Sequence, residues 1–254
     1  MSLRNRVIVL DFDGVVWDSV GESFEQAWLA WNQLHGGVGF AHDEAERIFR
    51  DARWQCKDGH DFYIVMSLMR DGVTDIGGLS ADDFRRQRET LAREDEAERF
   101  VHAFYASREH MRTHAFERWC ALQRPFPGVV DQINALRAEA KGVAVATTKD
   151  APSALALLAH AGIDGLPVYG REVSLDKNDH MRAIQAEFGV TGHDMAFVED
   201  LLENLRNVAA QGLRLVLADW GYNTAAERDQ ARAEGITVVS LNDFAARMRT
   251  LWSD

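Results

Sequence analysis

The chain has 254 residues, enough for one large domain or two modest ones, with 46% hydrophobic and 27% charged residues, a globular composition with ample core material. Its formal charge is −12, from 28 basic and 40 acidic residues, which argues against a nucleic-acid backbone as partner. Cys56 and Cys120 stand far apart with neither CxxC nor zinc spacing, so no disulfide framework is expected. The apolar run "VIVL" stops at Asp11, too short for a signal sequence, and no run nears the roughly 18 apolar residues of a membrane span. The expectation is a reduced, cytoplasmic protein that meets neither membrane nor nucleic acid, with its oligomeric state left open. "MSL" at the start is assigned no function.

The stretch "RVIVLDFDGVVWDS" opens the chain with an apolar strand candidate that runs into two aspartates. Residues 18 to 119 then read as helical. Ser19 and Glu22 make an S-x-x-E capping box, followed by Phe24, Ala27, Trp28 and Trp31 at helical spacing. "HDEAERIFRDARWQC" and the span from Ser80 to Trp119 are also helix-like, separated by a Gly- and Asp-rich loop near "RDGVTDIGGLS". "REDEAER" reads as a solvated helix face, and Trp28, Trp31, Trp54 and Trp119 as core or interface aromatics.

The pattern changes at "RPFPGVV". From there strands ("GVAVATT", "LPVYG", "MAFVED", "LRLVLAD", "ITVVS") alternate with helices, one of which, "TAAERDQARAEG", carries its own capping box, Thr224 to Glu227. Short apolar strands alternating with helices predict a doubly wound parallel sheet. The expected architecture is an α/β, Rossmann-like core of residues 1–17 plus 120–254, with an α-helical insertion of residues 18–119.

In such sheets the functional crevice lies at the carboxyl ends of the strands. Polar residues gather there: Asp11 and Asp13 after "VIVL", Thr147 and Thr148 after "VAVA", Glu199 and Asp200 at the end of "MAFVED", and Lys177 opening the helix after "LPVYG". Alternation sends Asp11 and Asp13 to one side and Phe12 toward the core. Gly14 permits a tight turn and close approach of a ligand. Crowded carboxylates repel, and a lysine with a hard cation resolves that cost. Mg²⁺ uses one or two carboxylates plus phosphate oxygens. Only four residues are lysines (Lys57, Lys141, Lys149 and Lys177), which gives a lysine at such a place more weight.

"DFDGVVWDS", "VAVATTK", Lys177 and "MAFVEDLLEN" resemble the four motifs of the haloacid dehalogenase (HAD) superfamily. The insertion resembles the cap that many members carry between the first two motifs. The nearest in appearance are phosphoglycolate phosphatase and β-phosphoglucomutase-like members. The resemblance implies a Mg²⁺-dependent phosphatase acting on a small phosphorylated metabolite. Asp11 would be the nucleophile that forms an aspartyl-phosphate, and Asp13 the general acid, then base. Thr147 would bind a phosphoryl oxygen, and Lys177 would neutralise charge. Asp200 would hold Mg²⁺ with the Asp11 carboxylate and the Asp13 backbone carbonyl, with Glu199 contributing directly or through water. Gly14 and Thr148, with Arg53 and Lys57 of the insertion, are the candidate substrate contacts. Two departures stand out: Asn204 replaces an acid common in the fourth motif, and Asn178 replaces a proline common after the lysine. Lys149 competes with Lys177 for the lysine role, and the motif order favours Lys177.

Other readings are weaker. A calcium loop fails because Val15 and Val16 occupy its fifth and sixth positions, and a kinase D-F-G fails because Asp13 intervenes. Asp18 and Ser19 read as helix caps. His110 and His114 share a helix face but lack the glutamate of a zinc protease and read as surface residues. A phosphomutase needs the same residues as a phosphatase. Phosphonate cleavage through a Lys57 Schiff base conflicts with Asp13, because phosphonate-cleaving relatives carry alanine there. The altered fourth motif also permits a weakly active binding or regulatory protein.

Overall fold

The computed structural model describes residues 3–91 and 95–253. The chain divides into two compact units, Met1–Asp18 with Pro125–Asp254, and Ser19–Arg124. In chain order, β1 (Val7–Leu10) and β2 (Trp17–Asp18) precede the helices of the second unit. These are α1 (Val20–His35), α2 (His42–Ala52), α3 (Gly59–Arg70), α4 (Ala81–Leu91), α5 (Asp95–His114) and α6 (Phe116–Ala121). After β3 (Arg124–Pro125) come α7 (Val129–Glu139), β4 (Gly142–Ala146), α8 (Ala151–His160), β5 (Val168–Tyr169) and α9 (Lys177–Phe188). The remainder is β6 (Met195–Glu199), α10 (Leu202–Val208), β7 (Arg214–Ala218), α11 (Ala225–Ala233), β8 (Thr237–Val239) and α12 (Phe244–Thr250). The unit boundaries fall at 18/19 and 124/125, against 17/18 and 119/120 from sequence. α6 runs on to Ala121, past the expected end of the insertion.

The first unit is built on a six-stranded sheet in the order β5-β4-β1-β6-β7-β8, with its paired strands parallel. β1 is central and completely buried. Leu10 lies opposite Val145 on one side and Val198 on the other. A parallel strand covered on both faces needs an unbroken apolar run, and "VIVL" and "MAFV" supply it. Val7, Val9 and Phe197 pack with Met181, Leu202 and Leu205 of α9 and α10. The chain moves outward from β1 to β4 and β5, then returns to lay β6 against the other side of β1. That reversal makes the carboxyl ends of β1 and β6 a topological switch point.

The second unit has an aromatic core. Phe62 lies 5.3 Å from both Phe49 and Phe104, and Tyr63 lies 5.6 Å from Phe100. Trp31 and Trp119 are buried, whereas Trp28 and Trp54 are only partly so. The capping box expected at Ser19 and Glu22 does not form: Ser19 occupies the N-cap position without a side-chain cap bond. Glu22 instead accepts two bonds from Arg108, at 2.8 and 2.7 Å, and one from Trp119 at 3.1 Å. A buried ion pair outcompeted a local cap. The Asp18 carboxylate accepts a bond from the Tyr222 hydroxyl at 3.0 Å. By contrast, the Thr224–Glu227 capping box forms as expected. Of "REDEAER", Arg93 and Glu94 lie outside the described residues, as do Met1 and Ser2 of "MSL"; Glu98 and Arg99 are exposed and Ala97 faces inward.

Candidate active site

Asp11, Glu199 and Asp200 converge at the switch point. One oxygen from each of the three lies within 4.8 Å of the others, and all three residues are buried. Local geometry explains the placement. The Asp11 amide donates to Val198 O at 2.8 Å, carrying the β1–β6 register one residue past the strand. Glu199 ends β6, and its Oε1 accepts from the amides of Asp200 and Leu201, both at 3.2 Å. Lys177, the first residue of α9, reaches across to donate to Asp11 Oδ1 and, at 2.6 Å, to Ala146 O. Its Nζ also lies 3.5 Å from Glu199 Oε2.

Asp13 belongs to the turn beyond β1, where a bridge pairs it with Trp17. Phe12 between the aspartates is fully buried and stacks on Trp17 at 5.6 Å. Lys149 Nζ donates to Asp13 Oδ1 at 3.2 Å. The two lysines therefore divide the two aspartates: Lys177 holds Asp11 and Lys149 holds Asp13. Thr147 continues β4, its amide donating to Tyr169 O at 2.9 Å, and its hydroxyl oxygen accepts from the Lys149 amide at 3.0 Å. That leaves the hydroxyl proton to be donated. Thr148, next along, is partly buried.

Gly14 has φ +99°, and a Cβ there would lie 2.0 Å from Asp200 Oδ2. The positive φ and the Asp200 carboxylate, which already fills the space a Cβ would take, both require glycine here.

The electrostatics leave negative charge in excess. Four carboxylates, Asp11, Asp13, Glu199 and Asp200, lie beside two ammonium groups, Lys149 and Lys177. Burial, and then the neighbouring Glu199 charge, pushes the Asp11 carboxyl up to about 7. Burial, with Asp200 adding to it, pushes Glu199 up to about 7 as well. Burial alone would pull the Lys177 ammonium down, but Asp11 and Glu199 outweigh it and raise it. Glu199 Oε2 is buried with no hydrogen-bond partner. An orphaned carboxylate oxygen beside two further carboxylates, short of positive charge, is a donor set that suits a hard divalent cation.

Sequence reasoning missed the segment after β7. The Tyr222 amide donates to Asp200 Oδ2 at 2.7 Å. Asn223 Nδ2 bridges Asp200 O (3.0 Å) and Ala218 O (2.8 Å), and Arg228 holds the Asn223 side-chain oxygen at 2.9 Å. Trp220 Nε1 donates to Val15 O at 3.0 Å. A Cβ on Gly221 would lie 2.3 Å from Asp200 Cβ. "DWGYN" thus wraps Asp200 from behind, and its position after a strand end, with a glycine between two aromatics, was the available signal.

Among the remaining expected residues, Asn204 sits half-buried on the first turns of α10. Asn178 uses its amide to bond Asp176, the N-cap of α9, at 2.9 Å, which a proline could not do. Arg53 and Lys57 belong to the second unit. Arg53 is buried there, donates to Cys56 O at 2.5 Å and lies over the Phe62 ring. The Lys57 amide donates to Asp61 at 2.8 Å. Cys56 and Cys120 are free and buried. His110 and His114 stack at 4.5 Å. No helix among the described residues is long and apolar enough to cross a membrane.

A family model for haloacid dehalogenase-like hydrolases matches residues 5–210. Solved structures match nearly end to end. A predicted phosphoglycolate phosphatase from Haemophilus somnus is 19% identical, with a TM-score of 0.66, over 98% of this chain and 99% of its own. A protein provisionally assigned as a phosphoglycolate phosphatase, from Lactobacillus delbrueckii subsp. bulgaricus, is 15% identical at TM-score 0.68, over 98% of both chains. A predicted phosphatase from Clostridium acetobutylicum is 14% identical at 0.65, over 96% of this chain and 97% of its own. At these identities the likeness is one of fold. No curated protein matches the chain significantly.

Proposed function

The chain belongs to the haloacid dehalogenase-like hydrolase family, and on that footing we propose that it is a Mg²⁺-dependent phosphatase of a small phosphorylated metabolite. The observation that carries this reading is the Asp11–Lys177–Glu199–Asp200 constellation at the β1/β6 switch point, with Asp13 two residues beyond Asp11. Phosphoryl transfer asks above all for positioning and charge neutralisation, and this constellation offers both. The phosphatase assignments of proteins that share the fold lend further support.

Asp11 attacks phosphorus, the bond to the leaving oxygen breaks, and an aspartyl-phosphate remains. Asp13, as the acid, gives its proton to the leaving oxygen. As the resulting carboxylate, it takes a proton from the water that attacks the same phosphorus and frees Asp11 with release of phosphate. Lys177 keeps the Asp11 carboxylate oriented and offsets phosphoryl charge. Thr147 donates its hydroxyl proton to a phosphoryl oxygen. The Asp11 and Asp200 carboxylates and the Asp13 backbone carbonyl would hold Mg²⁺, with Glu199 adjacent. When bound, the ion supplies positive charge to the transferring phosphoryl group. To the second unit we assign the role of a lid that reads the leaving group, with Arg53 and Lys57 as its candidate contacts and Gly14 and Thr148 as those of the first.

A panel of phosphorylated metabolites, assayed with Mg²⁺ and with EDTA, tests the reading. Phosphate release that requires Mg²⁺ is expected. Activity unchanged by EDTA would sink the metal-dependent mechanism, and phosphoryl transfer to a sugar hydroxyl in place of water would make the protein a mutase.

A further inference from the structure

Lys149 is the second buried ammonium at this end of the sheet, and neither the motif roles nor the cation site uses it. The residue is 2% exposed, with its side chain fully enclosed. Burying an ammonium is costly unless a partner offsets it, so its place needs a reason. Its main chain, and the residue after it, serve the local fold. Asp150 caps α8 through the Ser153 amide at 2.9 Å. The backbone of Lys149 is fixed at both ends, its amide on Thr147 Oγ1 at 3.0 Å and its carbonyl on the Arg171 amide at 3.1 Å. What the side chain reaches is Asp13 Oδ1, at 3.2 Å. On the way it passes the Phe12 ring, with Nζ 5.8 Å from the centroid.

Resting on the phosphatase reading above, we propose that Lys149 is the positioning residue for Asp13: it grips one oxygen of the proton-transfer carboxylate and thereby sets where the leaving oxygen receives its proton. Asp13 needs such a grip more than Asp11 does. It sits in a turn past the end of β1, and its side chain is 20% exposed, against 10% for Asp11. A general acid works only within hydrogen-bond reach of the atom that it protonates, and small misplacements are costly. The two lysines therefore have separate tasks. Lys177 serves the nucleophile and matters for every ester. Lys149 serves the acid and matters in proportion to how much the leaving oxygen needs a proton.

The test compares two esters: a simple alkyl phosphate, whose alkoxide must be protonated as it leaves, and p-nitrophenyl phosphate, whose phenolate leaves unaided. Wild type, Lys149→Met and Lys149→Arg are measured with Mg²⁺ as kcat/KM, which covers the steps up to leaving-group departure and so excludes the later water step. Lys149→Met is expected to lose about 10²-fold on the alkyl phosphate, the usual worth of a placed general acid, and less than about threefold on p-nitrophenyl phosphate. Lys149→Arg, which keeps the charge, should recover part of the alkyl activity. An equal loss on both esters, or no loss on either, overturns the proposal, because a residue that bound phosphate or merely supported the fold would not discriminate leaving groups. Should Lys149→Met fail to fold, Lys149→Arg and Lys149→Gln carry the same two-ester comparison. Wild type inactive on both esters would overturn the phosphatase reading itself, a result distinct from a wild type that is active and variants that do not discriminate.

Discussion

The two units bury charge in opposite ways. In the second, Glu22 and Arg108 are matched one to one. Both side chains are almost fully enclosed, the guanidinium meets the carboxylate with two bonds, and Trp119 adds a third donor. In the first, Asp11, Glu199 and Asp200 crowd together with Lys177 as their contacting ammonium, and one Glu199 oxygen stays unbonded. The matched pair is complete as it stands and holds α1 to α5. The unmatched cluster holds more negative charge than Lys177 offsets, and protonation of Asp11 and Glu199 is correspondingly favoured. Buried charge alone is thus a poor sign of function, whereas buried charge left unbalanced is a good one.

Four changes test that contrast, taken from the largest effect down. Asp11→Asn removes the nucleophile, and Mg²⁺-dependent phosphate release should fall by at least about 10⁴-fold while circular dichroism shows a retained fold. Arg108→Met strands the Glu22 carboxylate in an apolar interior and should cost about 3–5 kcal/mol in urea unfolding. Replacing both partners, Glu22→Leu with Arg108→Met, should recover most of it. A double variant no better than the single one would contradict the matched-pair account.

The third concerns pH. Asp11 and Glu199 both sit near 7 in the folded protein, above their ordinary values of 3.8 and 4.5. The fold therefore favours their protonated forms, and that stability is present below about pH 4 and lost as pH rises through about 7. In EDTA, the Tm should fall by a few degrees between pH 5 and pH 8 through these two groups. Mg²⁺ should restore it, with a larger Mg²⁺-induced rise at pH 8 than at pH 6. A rise that is flat with pH would show that the cluster is not where the ion binds. The smallest effect is expected from Asn223→Ala, which loosens the backing of Asp200 without touching its carboxylate. Mg²⁺ affinity, read from the Tm shift during titration, should weaken by up to about tenfold, with little change in metal-free stability.

Much of the site is legible in the linear sequence because its parts are short-range. An apolar run followed by Asp-x-Asp reads as a buried strand that ends in carboxylates, and Glu199–Asp200 after "MAFV" repeats the device. The Thr224–Glu227 cap is equally readable, since both partners lie within one turn. The same rule misleads at Ser19–Glu22, where the pattern is present but a residue 86 positions away claims the glutamate. A charge-assisted bidentate bond in a dry interior outweighs a neutral cap. The segment Trp220–Asn223 is hard to read for a related reason: it acts through a backbone amide and a bridging side chain, so only its place after a strand end and its glycine between two aromatics mark it.

The alternation of apolar strands and helices, the break at "RPFPGVV" and the carboxylates at strand ends follow from local chemistry, because periodicity, turn formation and the burial of short apolar runs depend on neighbours in the chain. Which strand lies beside which, and so which lysine meets which aspartate, depends on the return of β6 to the far side of β1. Lys149 and Lys177 both follow strands in the chain, and the motif order favours Lys177 for the lysine role without saying which carboxylate each ammonium meets. Only the folded sheet separates them, setting one ammonium on Asp11 and the other on Asp13 across 166 and 136 residues of chain. Contacts at that separation come from topology, which is decided by the packing of whole elements.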